Sequence, residues 1–456
     1  MNDEPAGTLF CPLEFRYGRE PMRRLFSREV RLRRALEVEG ALAQTQAELG
    51  LIPREAAEAI DAAARSGKVT VARTEALERE LRHDVMAIAR SLAEASGSAG
   101  RWVHYGATSN DITDTALALE LADALALLRD DLTALVLAFL AQAKAHRSTP
   151  EPGRTHGQQA VPITFGYKMA VAAAEFARHR HRLDELRPRV AVGKMSGAVG
   201  TGAGFGSASP QIEEGVMRRL GLTADEAPIQ IVMRDRIAEL GNWMALVASS
   251  AERMATEIRN LQRSEIGEVA EPFDEARQVG SSTMAQKRNP VVSENVASLA
   301  RLVRAFAIVP MENMVQWHER DLTNSANERI VLPHAIVLTD DLLTKLVGIV
   351  AGLEVRPKRM QENLARDGGL EMTESVMLAL TARGMDREDA HELLRTITRD
   401  PMAPPPPQER VRANATVRTF LAPEEIDEIV RPSRYIDAAA AKTDRIVDRL
   451  QREFER

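Results

Sequence analysis

The sequence predicts an all-α fold of three helical domains, the central one a bundle of long helices that associates with other copies of the chain. Three observations carry this prediction. Aromatic residues make up only 4% of the 456 positions while Ala, Leu, Arg and Glu dominate, a composition that starves strands and favours helices. Apolar residues recur at helical spacing along nearly the whole chain. Several stretches are apolar on more than one face and must be buried among other long helices, with more apolar surface than one copy covers.

In chain order, residues 1–103 read as a first helical domain, closed by a polar, Gly-rich segment from Arg101 to Asp111. The longest helix is expected from Thr115 to His146, where Leu121, Leu125, Leu128, Leu132 and Leu135 crowd its sides. A polar loop at a helix start is expected from Glu151 to Gly157. Between Gly193 and Pro210, Gly200, Gly202, Gly204 and Gly206 mimic a dinucleotide loop, but no strand precedes them, so a flexible connection is expected. Further long helices are expected over Arg234 to Arg263, Val291 to Val315 and His334 to Ala351, with a polar stretch from Glu271 to Pro290 among them. Residues 104–353 thus form the central domain and residues 354–456 a smaller helical one. Within the latter, the run Pro404 to Pro407 cannot be helical and reads as an exposed linker. No internal repeat is visible.

Composition excludes several classes. Hydrophobic residues at 44% and charged residues at 28% suit an ordinary folded soluble protein. A net charge of -6 argues against a general nucleic-acid or membrane-surface binder, and no apolar run spans a bilayer. A small anionic substrate stays compatible, because its site needs only a few local cations. The start Met1-Asn2-Asp3-Glu4 has neither the basic nor the apolar region of a signal peptide. With Cys11 as the sole cysteine, a reducing cytoplasm is the expected location, and Cys11 reads as incidental. No metal-ligand cluster is visible, and no cofactor is expected.

Five polar segments carry candidate chemistry, each with a bland reading beside it. Gly280 to Pro290, with Ser281, Ser282, Lys287 and Asn289, can present hydroxyls, a cation, an amide and backbone N–H groups to a carboxylate, or be a Ser-rich linker. Arg82-His83-Asp84 is either a solvated helix face or a site. His104 to Asp111 holds good capping residues, Thr108 and Ser109 among them. Gly153 to Gln159, with Thr155 and His156, could be a mere loop. Glu319-Arg320-Asp321 and Glu328-Arg329 could be surface ion pairs. His146, His179, His181, His318, His334 and His391 read as solvated.

Taken jointly, these segments resemble one superfamily. His-Tyr-Gly-Ala-Thr-Ser-Asn-Asp, Arg-Thr-His-Gly-Gln and Gly-Ser-Ser-Thr-Met-x-x-Lys-Arg-Asn-Pro follow the order used in the fumarase/aspartase superfamily. Within it, Arg82-His83-Asp84, Pro12-Leu13-Glu14-Phe15-Arg16-Tyr17 and Glu319 to Arg329 resemble the adenylosuccinate lyase branch. The similarity runs from about Pro12 to Ile436. It implies an anti β-elimination releasing fumarate through an aci-carboxylate, with adenylosuccinate and the succinyl-carboxamide ribotide of purine synthesis as substrates. Ser281 matches the base and His156 the general acid, while Lys287, Asn289 and the loop amides match stabilisers of the developing charge. His104 matches a carboxylate-binding or acid-supporting residue. Arg16, Tyr17, Arg320, Ser325 and Arg329 match the phosphate grip, and Thr108, Ser109, Thr155 and Gln230 match succinyl or base contacts. The family also implies a homotetramer whose sites draw on three subunits.

The family's loop usually reads Met-Pro-His-Lys or Met-Pro-Gly-Lys, whereas here it is Met284-Ala285-Gln286-Lys287. Loss of the proline frees one dihedral, but base, lysine and asparagine remain, so elimination is expected to persist. A sister lyase or cycloisomerase acting on another N-succinyl or carboxymuconate-type acid is the nearer alternative. A non-catalytic helical scaffold is the remote one.

Overall fold

A computed structural model describes residues 11–366, 372–400 and 403–454. The fold is all-α, and the described residues contain only three two-stranded sheets. Long helices span Ser109–Ala145, Phe165–Val190, Asp235–Gln262, Val291–Phe306, Ser325–Ala351 and Ser433–Phe454. None is long and apolar enough to cross a membrane. The Ser109–Ala145 helix begins where Thr108 N–H donates to Asp111 Oδ2 at 2.8 Å, satisfying one of the donors a helix start leaves open. Along it Leu121, Leu125, Leu128, Leu132 and Leu135 are buried at spacings of four and three, the seam of a helix packed among others.

Two compact units divide the chain. One comprises residues to Leu132, Arg178–Glu252 and Asn295–Thr344; the other comprises Thr133–Ala177, Arg253–Glu294 and the residues from Lys345 on.

In the first unit, helix Arg28–Glu48 packs on Arg54–Arg65 over Leu36, Ala43, Ile60 and Leu92, and on Ser209–Leu220 over Val38, Leu42, Ile112 and Met217. Buried charge clusters interrupt this apolar interior, two of them away from the cavity described below. Lys194 is fully buried against Asp111, and Arg19 donates to Asp131 at 2.8 Å and to Asp340 at 3.0 Å. Burial and the facing Asp340 push the Asp131 carboxyl up to about 8, against the opposing charge of Arg19.

In the second unit, strands Pro150–Thr155 and Gln158–Thr164 form an antiparallel hairpin. Helix Pro357–Leu364 packs on the first strand and Ser433–Phe454 on the second. A separate cluster of Val376, Leu380, Leu394, Val417 and Ile426 forms the core of the C-terminal helices.

Several expectations are corrected. The segment from Glu151 to Gly157 is not a helix-start loop but the first strand and turn of the hairpin, with Glu151 fully buried beside Lys168. Residues 192–193 pair with 223–224, so the stretch from Gly193 to Pro210 starts in a short parallel sheet and then coils into a 3-10 helix, Ala203–Ala208. The helix expected over Val291 to Val315 breaks at Ala307, because the Pro310 ring would clash with the carbonyl of Phe306. The helix expected from His334 begins instead at Ser325 and carries Pro333 within it. In the proline run, Pro407 is buried and opens helix Pro407–Ala413, where a missing N–H costs nothing. His179 is buried, not solvated: its Nε2 lies 2.8 Å from Ser250 Oγ and its carbonyl accepts from Trp243 Nε1. His146 and His334 are half-buried.

Candidate active site

The candidate residues fall into two groups, one in each unit. In the first unit a cavity of about 370 Å³ is lined by Asp84, Arg320, Ser325 and Arg329. Ser325 stands at the start of its long helix, whose N-terminal dipole favours an anion. Arg320 Nε donates to the Asp321 carbonyl at 3.1 Å, but its Nη1 is buried with no hydrogen-bond partner among the described residues. Burial and the neighbouring Arg234 lower the Arg320 pKa although nearby carboxylates oppose them; an anion placed there would relieve both. Asn324 is 1% exposed and likewise lines the cavity with an unpartnered Oδ1. Its orientation is fixed because Nδ2 donates to Glu328 Oε2 at 3.3 Å.

Arg329 reaches across to Asp84, donating at 2.6 Å. Asp84 also accepts from Val85 N–H, and His83 caps the same helix by accepting from Met86 N–H at 3.4 Å. Burial raises the Asp84 pKa, but Arg329 and these donors outweigh it and hold the carboxyl below the usual range. Arg82 ends the preceding helix in the left-handed region and is exposed. Arg16 and Tyr17 follow a short turn in which both backbone N–H groups donate to the Pro12 carbonyl, and the Arg16 guanidinium lies 5.8 Å from the Tyr17 ring centre. Gln230 N–H donates to the Glu319 carbonyl at 3.4 Å, which ties it to the Arg320 segment. Thr108 and Ser109 are half-buried at the start of the longest helix.

His104 is clasped by Glu39, whose carboxylate takes the backbone N–H at 3.1 Å and Nδ1 at 2.6 Å. Burial lowers the imidazole pKa, but the Glu39 hydrogen bond and the charges of Glu39 and Asp111 more than reverse this, so the net shift is upward. His104 therefore keeps its proton, and with it the means to bind a carboxylate, to higher pH than an ordinary histidine.

In the second unit the hairpin turns through His156 and Gly157, with φ of 54° and 78°. Positive φ at both positions is the two-residue hairpin turn whose twist matches the strands, and it places Thr155 and His156 at an exposed tip. Among the described residues only Arg82, His104, His156 and His318 combine a side chain with positive φ, so three of the four are candidate residues.

The signature loop is pinned at its base. Asn289 Nδ2 donates to the Gly280 carbonyl at 3.0 Å, Gln262 donates to the Arg288 carbonyl, and Glu271 accepts from Val292 and Ser293 N–H to cap the next helix. Ser281 Oγ accepts from the backbone N–H groups of Met284 at 3.1 Å and Thr283 at 3.3 Å. Two donors aimed at one hydroxyl oxygen favour its ionised form. Ser282 lies 3.4 Å from the Thr283 hydroxyl, and Lys287 is exposed on the loop.

Several residues escaped the sequence reading. Glu39 supports His104, and Asp111 accepts from Lys194 and from Ser196 and Gly197 N–H. Arg234 is buried between Asp114 and Glu328, donating to them at 2.8 to 3.0 Å. Glu120, also on the cavity wall, has Arg31 Nε at 3.7 Å, and burial pushes its pKa up from 4.5 to about 7. Glu39, Asp111 and Glu120 sit at buried helical positions, where a charge interrupting apolar neighbours is the signal that could have found them; Arg234 sits just before its helix, beside Asp235 and Arg236, and gives no such signal.

The Glu120 shift carries a prediction. The folded state keeps a proton that the unfolded chain releases near 4.5, so stability is full below that pH and declines as pH rises towards 7. Glu120→Gln cannot titrate and should stabilise the protein at pH 8 by on the order of 1–3 kcal/mol, with little effect at pH 4. Thermal unfolding at both pH values checks this; an equal effect at both would contradict it.

A family model described as Lyase matches residues 14–305, and one described as adenylosuccinate lyase C-terminus matches residues 369–446. The adenylosuccinate lyase of Pyrococcus abyssi is 44% identical over 452 residues, 98% of either chain. That of Methanothermobacter thermautotrophicus is 42% identical over 97% of this chain and 99% of its own. Among solved structures, a fumarate lyase from Mesorhizobium sp. BNC1 matches with a TM-score of 0.87 at 34% identity, covering 94% of this chain and 98% of that one. The 3-carboxy-cis,cis-muconate lactonizing enzyme of Pseudomonas putida matches with a TM-score of 0.87 at 33% identity, covering 97% and 99%. Likeness over this length, with every segment of the elimination signature in order, means that the chain belongs to the adenylosuccinate lyase family of the fumarase/aspartase superfamily.

Proposed function

We propose that this chain cleaves the C–N bond of adenylosuccinate to give AMP and fumarate, and does the same to the succinyl-carboxamide ribotide. The carrying observation is the buried Arg320 Nη1, without a hydrogen-bond partner among the described residues, in a cavity that Ser325 and Arg329 also line. A phosphate monoester, with close to two negative charges and several acceptor oxygens, meets that demand, and arginine binds it through paired N–H groups. The proton beside the substrate carboxylate is very weakly acidic. Ser281 removes it as an alkoxide held by the Thr283 and Met284 N–H groups, while Lys287 and Asn289 stabilise the charge that builds on the carboxylate. His156 then protonates the departing nitrogen, and the electron pair of the C–N bond leaves with it. His104, kept protonated by Glu39, binds a substrate carboxylate.

The family's homotetramer is part of the same reading. Val315, Trp317 and Leu322 are each more than 70% exposed, and Leu302, Ile308 and Met311 add to an apolar surface that association would cover. An active, stably monomeric variant in sedimentation would contradict it. A cytoplasmic location fits a chain with a single cysteine.

The test is to mix purified protein with adenylosuccinate and quantify fumarate and AMP. Release of both at about 1–10³ s⁻¹ is expected. No release from folded protein would overturn the purine reading. A second reading, a lyase or cycloisomerase for another N-succinyl or carboxymuconate-type acid, draws on the likeness to the lactonizing enzyme and on Ala285-Gln286. It would be tested on those acids in the same assay.

A further inference from the structure

His156 stands at the tip of a hairpin, yet among the described residues no side-chain hydrogen bond holds it, and a Cβ at Gly157 would meet nothing within 4 Å. Within this chain, the strands below the turn are what fix its position. Thr155 and Gln158 close the turn, and the next pair below them is Arg154 on one strand and Gln159 on the other. Arg154 donates through Nη1 and Nη2 to Glu268 at 2.9 and 2.5 Å, and Glu268 is fully buried. Asn363 Nδ2 donates to the same carboxylate at 2.8 Å and to the Ile266 carbonyl at 2.9 Å. Gln159 Nε2 completes the circuit by donating to the Asn363 carbonyl at 3.0 Å. One pair below the turn's closing pair, one strand is thus fastened to a buried carboxylate and the other to the backbone of the asparagine bonded to it.

Burying an ion pair is a weak way to gain stability, because desolvation offsets most of the attraction. Fixed geometry is what a two-pronged arginine–carboxylate contact supplies. We propose that Arg154, Glu268, Asn363 and Gln159 form a strap that positions the His156 imidazole for protonation of the departing nitrogen. Arg154 and Glu268 are then positioning residues, since neither delivers the proton itself. The strap rests on the reading of His156 as the acid.

The experiment separates the two halves of the reaction. In D₂O the base step moves the carbon-bound proton to Ser281, and return of a deuteron from the exchanged hydroxyl labels recovered substrate without C–N cleavage. The acid step alone controls fumarate release once the aci-carboxylate has formed. Arg154→Lys, Glu268→Gln and Gln159→Leu are compared with wild type and His156→Ala in adenylosuccinate, with folding checked by circular dichroism so that a misfolded variant leaves the others to decide.

Loosening the strap should slow fumarate release by about 10- to 100-fold, the penalty of a misplaced catalytic group. The ratio of deuterium incorporation to fumarate release should rise by a similar factor. A general structural defect would lower both together, so parallel loss, or no change, in the folded strap variants overturns the proposal. If His156→Ala raises the ratio and the strap variants do not, the strap alone falls. If His156→Ala does not raise it either, the acid assignment falls and takes the strap with it.

Discussion

Replacing Ser281 by alanine is expected to slow fumarate release by roughly 10²- to 10⁴-fold, with KM changed only a few-fold. The hydroxyl oxygen is the one atom of the signature loop on which two backbone N–H groups converge, from Thr283 and Met284. Those donors stabilise an alkoxide more than a hydroxyl, so with Ser281 as the proposed base they act on proton removal rather than on substrate binding. Alanine leaves the loop's anchors at Gly280, Asn289 and Glu271 in place and removes only the proton acceptor. Steady-state kinetics with adenylosuccinate check this, with Ser282→Ala as the control for the neighbouring hydroxyl. Near-normal turnover by Ser281→Ala would remove Ser281 from the mechanism.

The largest effect on stability is expected from Arg234→Met. Arg234 is buried between Asp114 and Glu328 and bonds to both, so its loss strands two carboxylates away from water. Breaking such a cluster by removing one partner costs about 3–5 kcal/mol, far more than the intact cluster contributes over an apolar replacement. Burial would raise the Asp114 pKa, but the Arg234 charge and the donors from Arg234, Val232 and Asn110 together lower it. A lowered pKa gives stability that is present above the unfolded value and is lost as pH falls through the folded one. The Arg234→Met deficit should therefore be greatest at neutral pH and shrink in acid. Urea unfolding at pH 7 and pH 4 measures it, and a deficit under 1 kcal/mol at pH 7, or one that grows in acid, would refute this account.

The sequence disclosed what depends on near neighbours and concealed what depends on distant ones. Leu121 to Leu135 announce their helix because a buried seam needs apolar residues every three or four positions, and the chain there has no competing signal. The hairpin gave the opposite impression. Its strands contain Pro150, Pro152 and Pro162, which remove ladder donors, and a buried Glu151 where an apolar residue is expected. What specified it was the two-residue His156-Gly157 turn, a short signal drowned by three prolines. His179 looked solvated because its partner, Ser250, lies on another helix. The signature loop was legible because its chemistry is contiguous in sequence, whereas the grips of Glu39 on His104 and of Glu268 on Arg154 join residues 65 and 114 positions apart.

The turn at His156 has a bearing on how this chain can change. Its backbone asks for asparagine followed by glycine, the pair that such turns favour most, and histidine occupies the first position at a cost of about 1 kcal/mol. Thermal robustness and turnover therefore select in opposite directions at a single codon. A library of variants sorted only for resistance to heat would drift towards asparagine there and discard the residue proposed as proton donor, so on that proposal the position marks where hardening this scaffold and keeping it working part company.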